Sequence, residues 1–169
     1  MATSAALSES SSRSRLSVWP RALLVFGRVV LGLIFLYAAF SKLYFDGAWH
    51  LGDYHFFFAM AIDSYKMLPL SVVEWMARIL PWFELLLGAL LIIGVGLRWV
   101  ASITTALLLI FIGAMTRAKI LGLEINCGCF GNNEKLGTAT LIRDSSLLVL
   151  ALAVTIGAFL IHKRRAVSS

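Results

Sequence analysis

The chain has 169 residues, of which 60% are hydrophobic and 14% are charged, and its formal net charge is +6. Soluble domains are about half apolar and about a quarter charged, so this composition excludes an ordinary soluble protein and leaves no room for a separate soluble catalytic domain. The basic residues lie at the ends of apolar runs and in the two tails. Because membrane topology places them there, the charge indicates a membrane protein rather than one that binds nucleic acid.

Four apolar runs predict an all-α, polytopic membrane protein, in which four transmembrane helices form a bundle. A helix needs about 20 apolar residues to cross about 30 Å of hydrocarbon. The chain then divides into a disordered cytoplasmic tail (1–20), a four-helix membrane domain (21–162) and a basic cytoplasmic tail (163–169). Only Arg98 separates the second and third spans, so we expect a tight hairpin there. The predicted spans are Arg21–Leu43, Leu80–Leu97, Trp99–Met115 and Leu141–Ile161.

Four spans place both termini on one side of the membrane. The count of Lys and Arg, leaving out Arg28 within the first span, is seven on each side. On the side of the termini these residues are packed into short segments against the membrane, which is the arrangement that marks the cytoplasmic face. We therefore expect an inner-membrane protein with cytoplasmic termini and with both long loops facing the periplasm or the cell exterior.

The first outer loop contains two candidate interfacial helices. Ser71 and Glu74 have the spacing of a capping box, and Glu74 and Arg78 are spaced for an ion pair on one helix face. We expect a short surface helix that ends in a kink at Pro81, where the second span begins. The aromatic residues of 54–58 suggest a second interfacial segment, either an aromatic anchor or a cap over a site.

The second outer loop carries both cysteines of the chain, Cys127 and Cys129, with Gly128 between them. Thiolates are favoured by nearby cations, and Arg117, Lys119, Lys135 and Arg143 are close in sequence. Gly128 gives the backbone freedom to reach disulfide geometry, and the small, strained ring favours a labile, oxidising bond. These residues predict a redox pair as the catalytic group.

Two other interpretations of the cysteines stay open. The pair is a purely structural clip if its disulfide only holds the loop. Alternatively, the pair supplies two of the four ligands of a zinc site, with His50 and His55 as the other two. The redox site that we predict includes no metal.

Charged residues in or beside the spans form a second candidate feature, because charge inside a membrane is costly and usually faces the bundle or a watery cavity. Arg28 lies inside the first span near its cytoplasmic end, where it can snorkel towards anionic lipid headgroups. The remaining charged residues are expected at the outer membrane boundary, at the level of the cysteine loop. They are either ordinary interfacial ion pairs or a polar rim that tethers the loop and tunes its thiols. The predicted rim consists of Lys42, Glu84, Arg143 and Asp144.

Four segments, GRVVLGLIFLYAAFSKL, LPWFELLLGALLIIGVGLRW, EINCGCFG and LIRDSSLLVLAL, resemble the MauE family of four-helix membrane proteins, which is related to the broader DoxX-like group. The resemblance covers about Arg21 to Ile161 and is most specific at CGCFG. It implies a role in methylamine utilisation, in the maturation of periplasmic methylamine dehydrogenase with its disulfide-rich small subunit, together with a thioredoxin-like partner. By this resemblance Cys127 and Cys129 are the redox pair, and Arg28, Lys42, Glu84, Arg143 and Asp144 occupy characteristic polar positions.

These observations favour a membrane thiol–disulfide redox protein whose oxidised pair accepts electrons from a periplasmic thioredoxin-like partner or client. A quinone in the bundle is a candidate oxidant for the reduced pair, and the opposite direction of electron flow is equally open. The rival hypotheses are a non-catalytic assembly or scaffold subunit, and a small transporter or metal handler.

Overall fold

The computed structural model describes residues 2–45, 48–49, 54–123, 125 and 136–167, and the side chains of 22–43, 56, 58–123, 125 and 136–163. These described residues form five helices and one minimal hairpin. The strands β1 (Tyr44–Phe45) and β2 (Ala48–Trp49) pair antiparallel directly after the first helix. The helices are α1 (Ala2–Leu43), α2 (Tyr54–Asp63), α3 (Leu70–Ile93), α4 (Leu97–Ile120) and α5 (Thr138–Val167).

Four of these helices are long and apolar enough to cross a membrane, over Ala22–Leu43, Leu70–Ile93, Leu97–Ile120 and Thr138–Lys163. At most 33% of the most apolar window of each is buried inside the protein. The remaining faces expose large apolar side chains such as Phe26, Leu33 and Val149, as lipid-facing surfaces require. The predicted all-α, four-span membrane architecture is thus confirmed.

The second and third spans are longer than the sequence predicts. The segment 71–79, expected as a separate surface helix, is part of α3, which continues through Pro81. Ser71 therefore lies inside the helix, and Pro69 takes the N-cap position without a side-chain cap. A membrane helix tolerates a proline because neighbouring helices and local adjustments satisfy the freed backbone groups.

The tails also differ from expectation, since α1 begins at Ala2 and α5 continues to Val167. Residues 2–19, assigned from the sequence to a disordered tail, are helical and continue through Pro20 into the first span.

The α3–α4 hairpin depends on two glycines. Gly94 (φ 83°) and Gly96 (φ 59°) are both left-handed, a conformation that costs any residue with a Cβ. The N–H of Gly94 donates to the Leu90 carbonyl at 2.8 Å and closes α3. We call this end of the bundle the hairpin end, and the opposite end, where α4 ends and α5 begins, the loop end.

The bundle core lies between α1, α3, α4 and α5. Gly32 and Gly88 bring α1 and α3 into backbone contact, since a Cβ built on Gly88 would lie 2.9 Å from the Gly32 carbonyl oxygen. Small residues allow this close approach in membrane bundles. A second apolar cluster joins α2 to the first half of α3. The buried core residues are Leu31, Phe35, Leu87, Leu91, Val100, Ala101, Leu108, Ala151 and Val154, and those of the second cluster are Phe58, Ala61, Ala77 and Leu80.

Candidate functional site

A buried ion pair joins α1 to α3 near the loop end of the bundle. The ammonium group of Lys42 donates to both carboxylate oxygens of Glu84, at 2.7 Å and 2.5 Å. Both side chains are 3% exposed. Lys42 occupies the last turn of α1, and Glu84 follows Pro81 by one helical turn. Losing either partner would leave a buried, uncompensated charge, which makes the pair a constraint on how α1 and α3 pack.

The short helix α2 covers this pair. Its residue Phe58 is buried and places its ring 5.1 Å from the Lys42 ammonium, within the range of a cation–π interaction. The same ring belongs to the cluster that holds α2 against α3. Of the two meanings that the sequence leaves open for the aromatic segment, this geometry fits a cap over a site.

Asp144 brings a second buried carboxylate to the same place. Its side chain is 5% exposed and accepts a hydrogen bond from Nε of Arg143 at 2.9 Å. Together with Lys42 and Glu84 it lines a cavity of about 30 Å³, which we call the ion-pair cavity. One water needs roughly 10–15 Å³ of such space, so the cavity has room for one or two waters, although the surface that lines it is almost entirely apolar. The structure thus brings together the four residues of the predicted rim, and their role stays a prediction.

Lys42 also borders a larger cavity of about 330 Å³, which we call the Lys42 cavity. It lies between α2, α3, α4 and the turn that follows α2. Its walls are apolar except for Lys42 and Tyr65, and its volume is typical of the smaller ligand pockets in proteins. The apolar wall residues are Phe58, Ala61, Ile62, Met67, Leu68, Met76, Leu80, Ile110, Phe111, Ala114 and Met115.

The two cysteines, Cys127 and Cys129, lie outside the described residues, but the two ends of their segment are described. The N–H of Leu136 donates to the carbonyl of Ile125 at 2.8 Å. Lys119 at the end of α4 donates to the Thr138 hydroxyl at the start of α5, also at 2.8 Å. The two described ends of the segment that carries the cysteines are therefore held together at the loop end of the bundle. Asp144 follows Thr138 by six positions, or about 9 Å along α5.

Arg28 lies apart from this group, at the hairpin end. It precedes Lys42 by fourteen positions on α1, which corresponds to about 21 Å along the helix. Its guanidinium packs against Gly94, where a Cβ would collide with it. Among the described residues, Nε of Arg28 is buried without a hydrogen-bond partner.

Comparison with known proteins identifies the family. The model of the family described as methylamine utilisation protein MauE matches residues 20–157. The chain belongs to the MauE family. Among curated proteins, methylamine utilization protein MauE of Paracoccus denitrificans is 30% identical over 133 residues, which are 77% of this chain and 67% of the relative. No solved structure matches the chain.

The region matched by the MauE family model includes every residue singled out from the sequence: Arg28, Lys42, Glu84, Cys127, Cys129, Arg143 and Asp144. The family resemblance predicted from the sequence is thus confirmed. The match also contains the whole of α2, so the cap over the ion pair belongs to the MauE-family domain.

In the part of the chain that the structure describes, no group of three His, Cys, Asp or Glu side chains is arranged to bind a metal ion. These residues therefore give the metal-site interpretation no support. His50, the side chain of His55, and both cysteines lie outside that part. A zinc site made from these four residues therefore stays an untested alternative.

Two features of this MauE-family site escape sequence analysis. Phe58 is one of three consecutive phenylalanines, and the sequence does not reveal which of them faces Lys42. The hydrogen bond between Ile125 and Leu136 depends on main-chain atoms, which carry no residue-specific signal. A signal for the ion pair itself was present, since both charges lie within apolar runs, where they need a partner.

Proposed function

We propose that this MauE-family chain is a membrane thiol–disulfide redox protein. It assists disulfide formation in a periplasmic client, such as methylamine dehydrogenase, during methylamine utilisation. Family membership supports the methylamine context. The observation that carries the redox role is the group of three buried charged side chains, Lys42, Glu84 and Asp144, at the end of the bundle where the two described ends of the cysteine segment, Ile125 and Leu136, also lie.

The proposed exchange transfers two electrons and two protons. A thiolate of the client, or of a thioredoxin-like partner, attacks one sulfur of the Cys127–Cys129 disulfide and forms a mixed disulfide. The second client thiol then attacks that bond. The client gains a disulfide, and Cys127 and Cys129 become two thiols. Two electrons have moved to the cysteine pair, and the two client protons are balanced by the two new thiols.

Reoxidation of the pair releases those two protons at the loop end, and the buried carboxylates supply sites for them. Among the described residues Glu84 and Asp144 are the buried acids, and both line the ion-pair cavity. Lys42 fixes the position of Glu84, and Arg143 fixes that of Asp144. We infer that this group moves protons between the cysteine loop and the interior of the bundle.

A membrane quinone is the oxidant that we propose for the reduced pair, because a bound quinone accepts two electrons and two protons. The Lys42 cavity fits such a group in volume and in its apolar walls. An ammonium group carries three N–H donors. Two N–H groups of Lys42 donate to the Glu84 carboxylate. Among the described residues the third has no acceptor, so it can donate to a quinone oxygen. Lys42 would thus orient the ring, and Phe58 and Phe111 would exclude water from it.

The proposed orientation places the loop end in the periplasm, so that the cysteines meet a secreted client, and both termini in the cytoplasm. The short basic segments on the side of the termini support it through the positive-inside rule. In this orientation the thioredoxin-like partner is also periplasmic, and the membrane is the inner one.

The direct test replaces the cysteines in a methylamine-growing host. With Cys127→Ser or Cys129→Ser we expect the small subunit of methylamine dehydrogenase to accumulate with free thiols, counted by alkylation and mass spectrometry. One of the two variants should also retain a mixed disulfide with its partner on acid trapping. The matched control is Ser145→Ala, an exposed position at the same end of the bundle.

The hydrogen bond between Ile125 and Leu136 favours one rival, a non-catalytic assembly subunit whose disulfide only holds the loop. A full complement of client disulfides in the Cys127→Ser, Cys129→Ser double variant would contradict the redox proposal and select this rival.

A further inference from the structure

The hairpin end of the bundle contains a third cavity, of about 470 Å³, which we call the hairpin-end cavity. It opens between α1, the Gly94–Gly96 turn, the start of α4 and the end of α5. Three basic side chains line it, from three different helices: Arg28, Arg98 and His162. No acidic side chain of the described residues lines it.

The cationic groups of this cavity are incompletely satisfied. Nε of Arg28 is buried and has no hydrogen-bond partner in the described part of the chain. A buried donor without an acceptor is costly, and such a group in a native structure points to an unseen partner. Arg98 stacks on the Phe159 ring at 6.0 Å, which orients its guanidinium without supplying an acceptor oxygen.

The backbone contributes positive potential at the same place. Helix α4 begins here, and its N-cap residue, Gly96, offers no side-chain hydrogen bond. The first N–H groups of a helix carry a partial positive charge and bind anions. The cavity thus combines guanidinium donors from two helices with a helix N-terminus, and each of these groups favours an anion.

The surroundings indicate that the anion is attached to a lipid. Leu24, Val25 and Ile161 line the cavity beside the charges and provide an apolar wall. Trp99, also in the lining, is 71% exposed, and tryptophan is enriched at the headgroup level of membranes. Basic pockets between transmembrane helices on the cytoplasmic side bind anionic lipid headgroups.

We propose that the hairpin-end cavity is a specific site for the phosphate of an anionic phospholipid headgroup, held by Arg28, Arg98 and His162. The lipid fills the space between α1, α4 and α5 beside the Gly94–Gly96 turn. This site lies at the opposite end of the bundle from the two described ends of the cysteine segment, which is the cytoplasmic end in the proposed orientation, and it does not depend on the redox chemistry.

The test is native mass spectrometry of the full-length protein in detergent, titrated with phosphatidylglycerol or with phosphatidylcholine of the same acyl chains. We expect one tightly bound phosphatidylglycerol and weaker binding of phosphatidylcholine. Arg28→Gln and Arg98→Gln should each weaken the affinity for phosphatidylglycerol about ten-fold or more, since each removes a charge-assisted hydrogen bond. Lys163→Gln should leave the affinity unchanged, because Lys163 is exposed at the same end of α5 and does not line the cavity.

Two results would overturn the proposal. Equal loss of affinity in Lys163→Gln and in Arg98→Gln would mean that the lipid responds only to net charge. Displacement of phosphatidylglycerol by millimolar inorganic phosphate, with free phosphate bound in its place, would mean that the cavity takes a soluble anion. Should Arg28→Gln fail to fold, Arg98→Gln and His162→Ala give the same comparison, because His162 is exposed and Arg98 is half-buried.

Discussion

Lys42 and Glu84 are separated by 42 positions in the sequence, yet the ammonium of Lys42 lies 2.7 Å and 2.5 Å from the two carboxylate oxygens of Glu84. Both residues line the ion-pair cavity together with Asp144, and Lys42 also lines the apolar Lys42 cavity. Among the described residues Lys42 is therefore the charged side chain that lies between the two buried acids and the proposed quinone pocket.

Removing one partner of the pair should destabilise the protein far more than removing both. We expect Lys42→Met or Glu84→Leu to lower the free energy of unfolding by about 3–5 kcal/mol, because a buried charge loses its counter-ion. The double variant Lys42→Met, Glu84→Leu should recover most of that loss. Reversible unfolding in mixed detergent micelles measures all three variants, and additive losses in the double variant would contradict the pairing.

The contact between α1 and α3 should be sensitive to a single methyl group. Alanine at Gly88 would place its Cβ 2.9 Å from the Gly32 carbonyl oxygen. Because main-chain atoms cannot move aside cheaply, Gly88→Ala should separate the two helices and lower the melting temperature. The matched control is Gly113→Ala in α4, where a Cβ meets nothing within 4 Å and the higher helix propensity of alanine should stabilise by up to about 1 kcal/mol.

Helices α4 and α5 share an interhelical hydrogen bond between the hydroxyls of Thr105 and Thr155, at 3.1 Å. A double-mutant cycle with Thr105→Val and Thr155→Val should give a coupling of about 0.6 kcal/mol, the usual value for such bonds in membranes. Each of these hydroxyls also lies within hydrogen-bond distance of the carbonyl four residues earlier in its own helix, 2.9 Å for Thr105 and 2.8 Å for Thr155. The control pairs Thr104→Val with Thr155→Val, since the Thr104 hydroxyl bonds Val100 within its own helix and, among the described residues, no side chain of α5. Coupling in the control cycle of the same size would show that the effect is not specific to the Thr105–Thr155 bond.

Filling the Lys42 cavity should block quinone binding without unfolding the bundle. Ala114 lines that cavity, whereas its neighbour Gly113 faces open space. We expect Ala114→Trp to weaken the binding of a water-soluble quinone analogue, followed by quenching of tryptophan fluorescence, and to leave the cysteine pair reduced in cells. Gly113→Trp should do neither. If Ala114→Trp binds the analogue as the wild type does, the quinone does not occupy this cavity.

Much of the architecture follows from the sequence, because hydrocarbon demands long apolar helices. The four spans and the common level of Lys42, Glu84, Arg143 and Asp144 were predictable for that reason. The extent of α3 was not, since Pro81 suggested a boundary and the packing of Ala77 and Leu80 against α2 overrides that local signal.

The cavities could not be predicted from the sequence, for a different reason. Their walls come from several helices at once, and their volumes depend on small offsets in packing that composition and periodicity do not encode. Arg28 illustrates this: the apolar run around it predicted snorkelling, but its neighbours across the bundle, Arg98 and His162, appear together only in the folded protein.

The most direct test of the central claim is the reduction potential of the Cys127–Cys129 pair in the purified full-length protein, measured by thiol trapping in graded glutathione or dithiothreitol buffers. The redox proposal predicts a reversible couple near or above about −200 mV, in the range of the oxidising thiol–disulfide catalysts. A pair that stays oxidised below about −300 mV would behave as a structural bond and would contradict the proposal, as would a pair that never forms a disulfide.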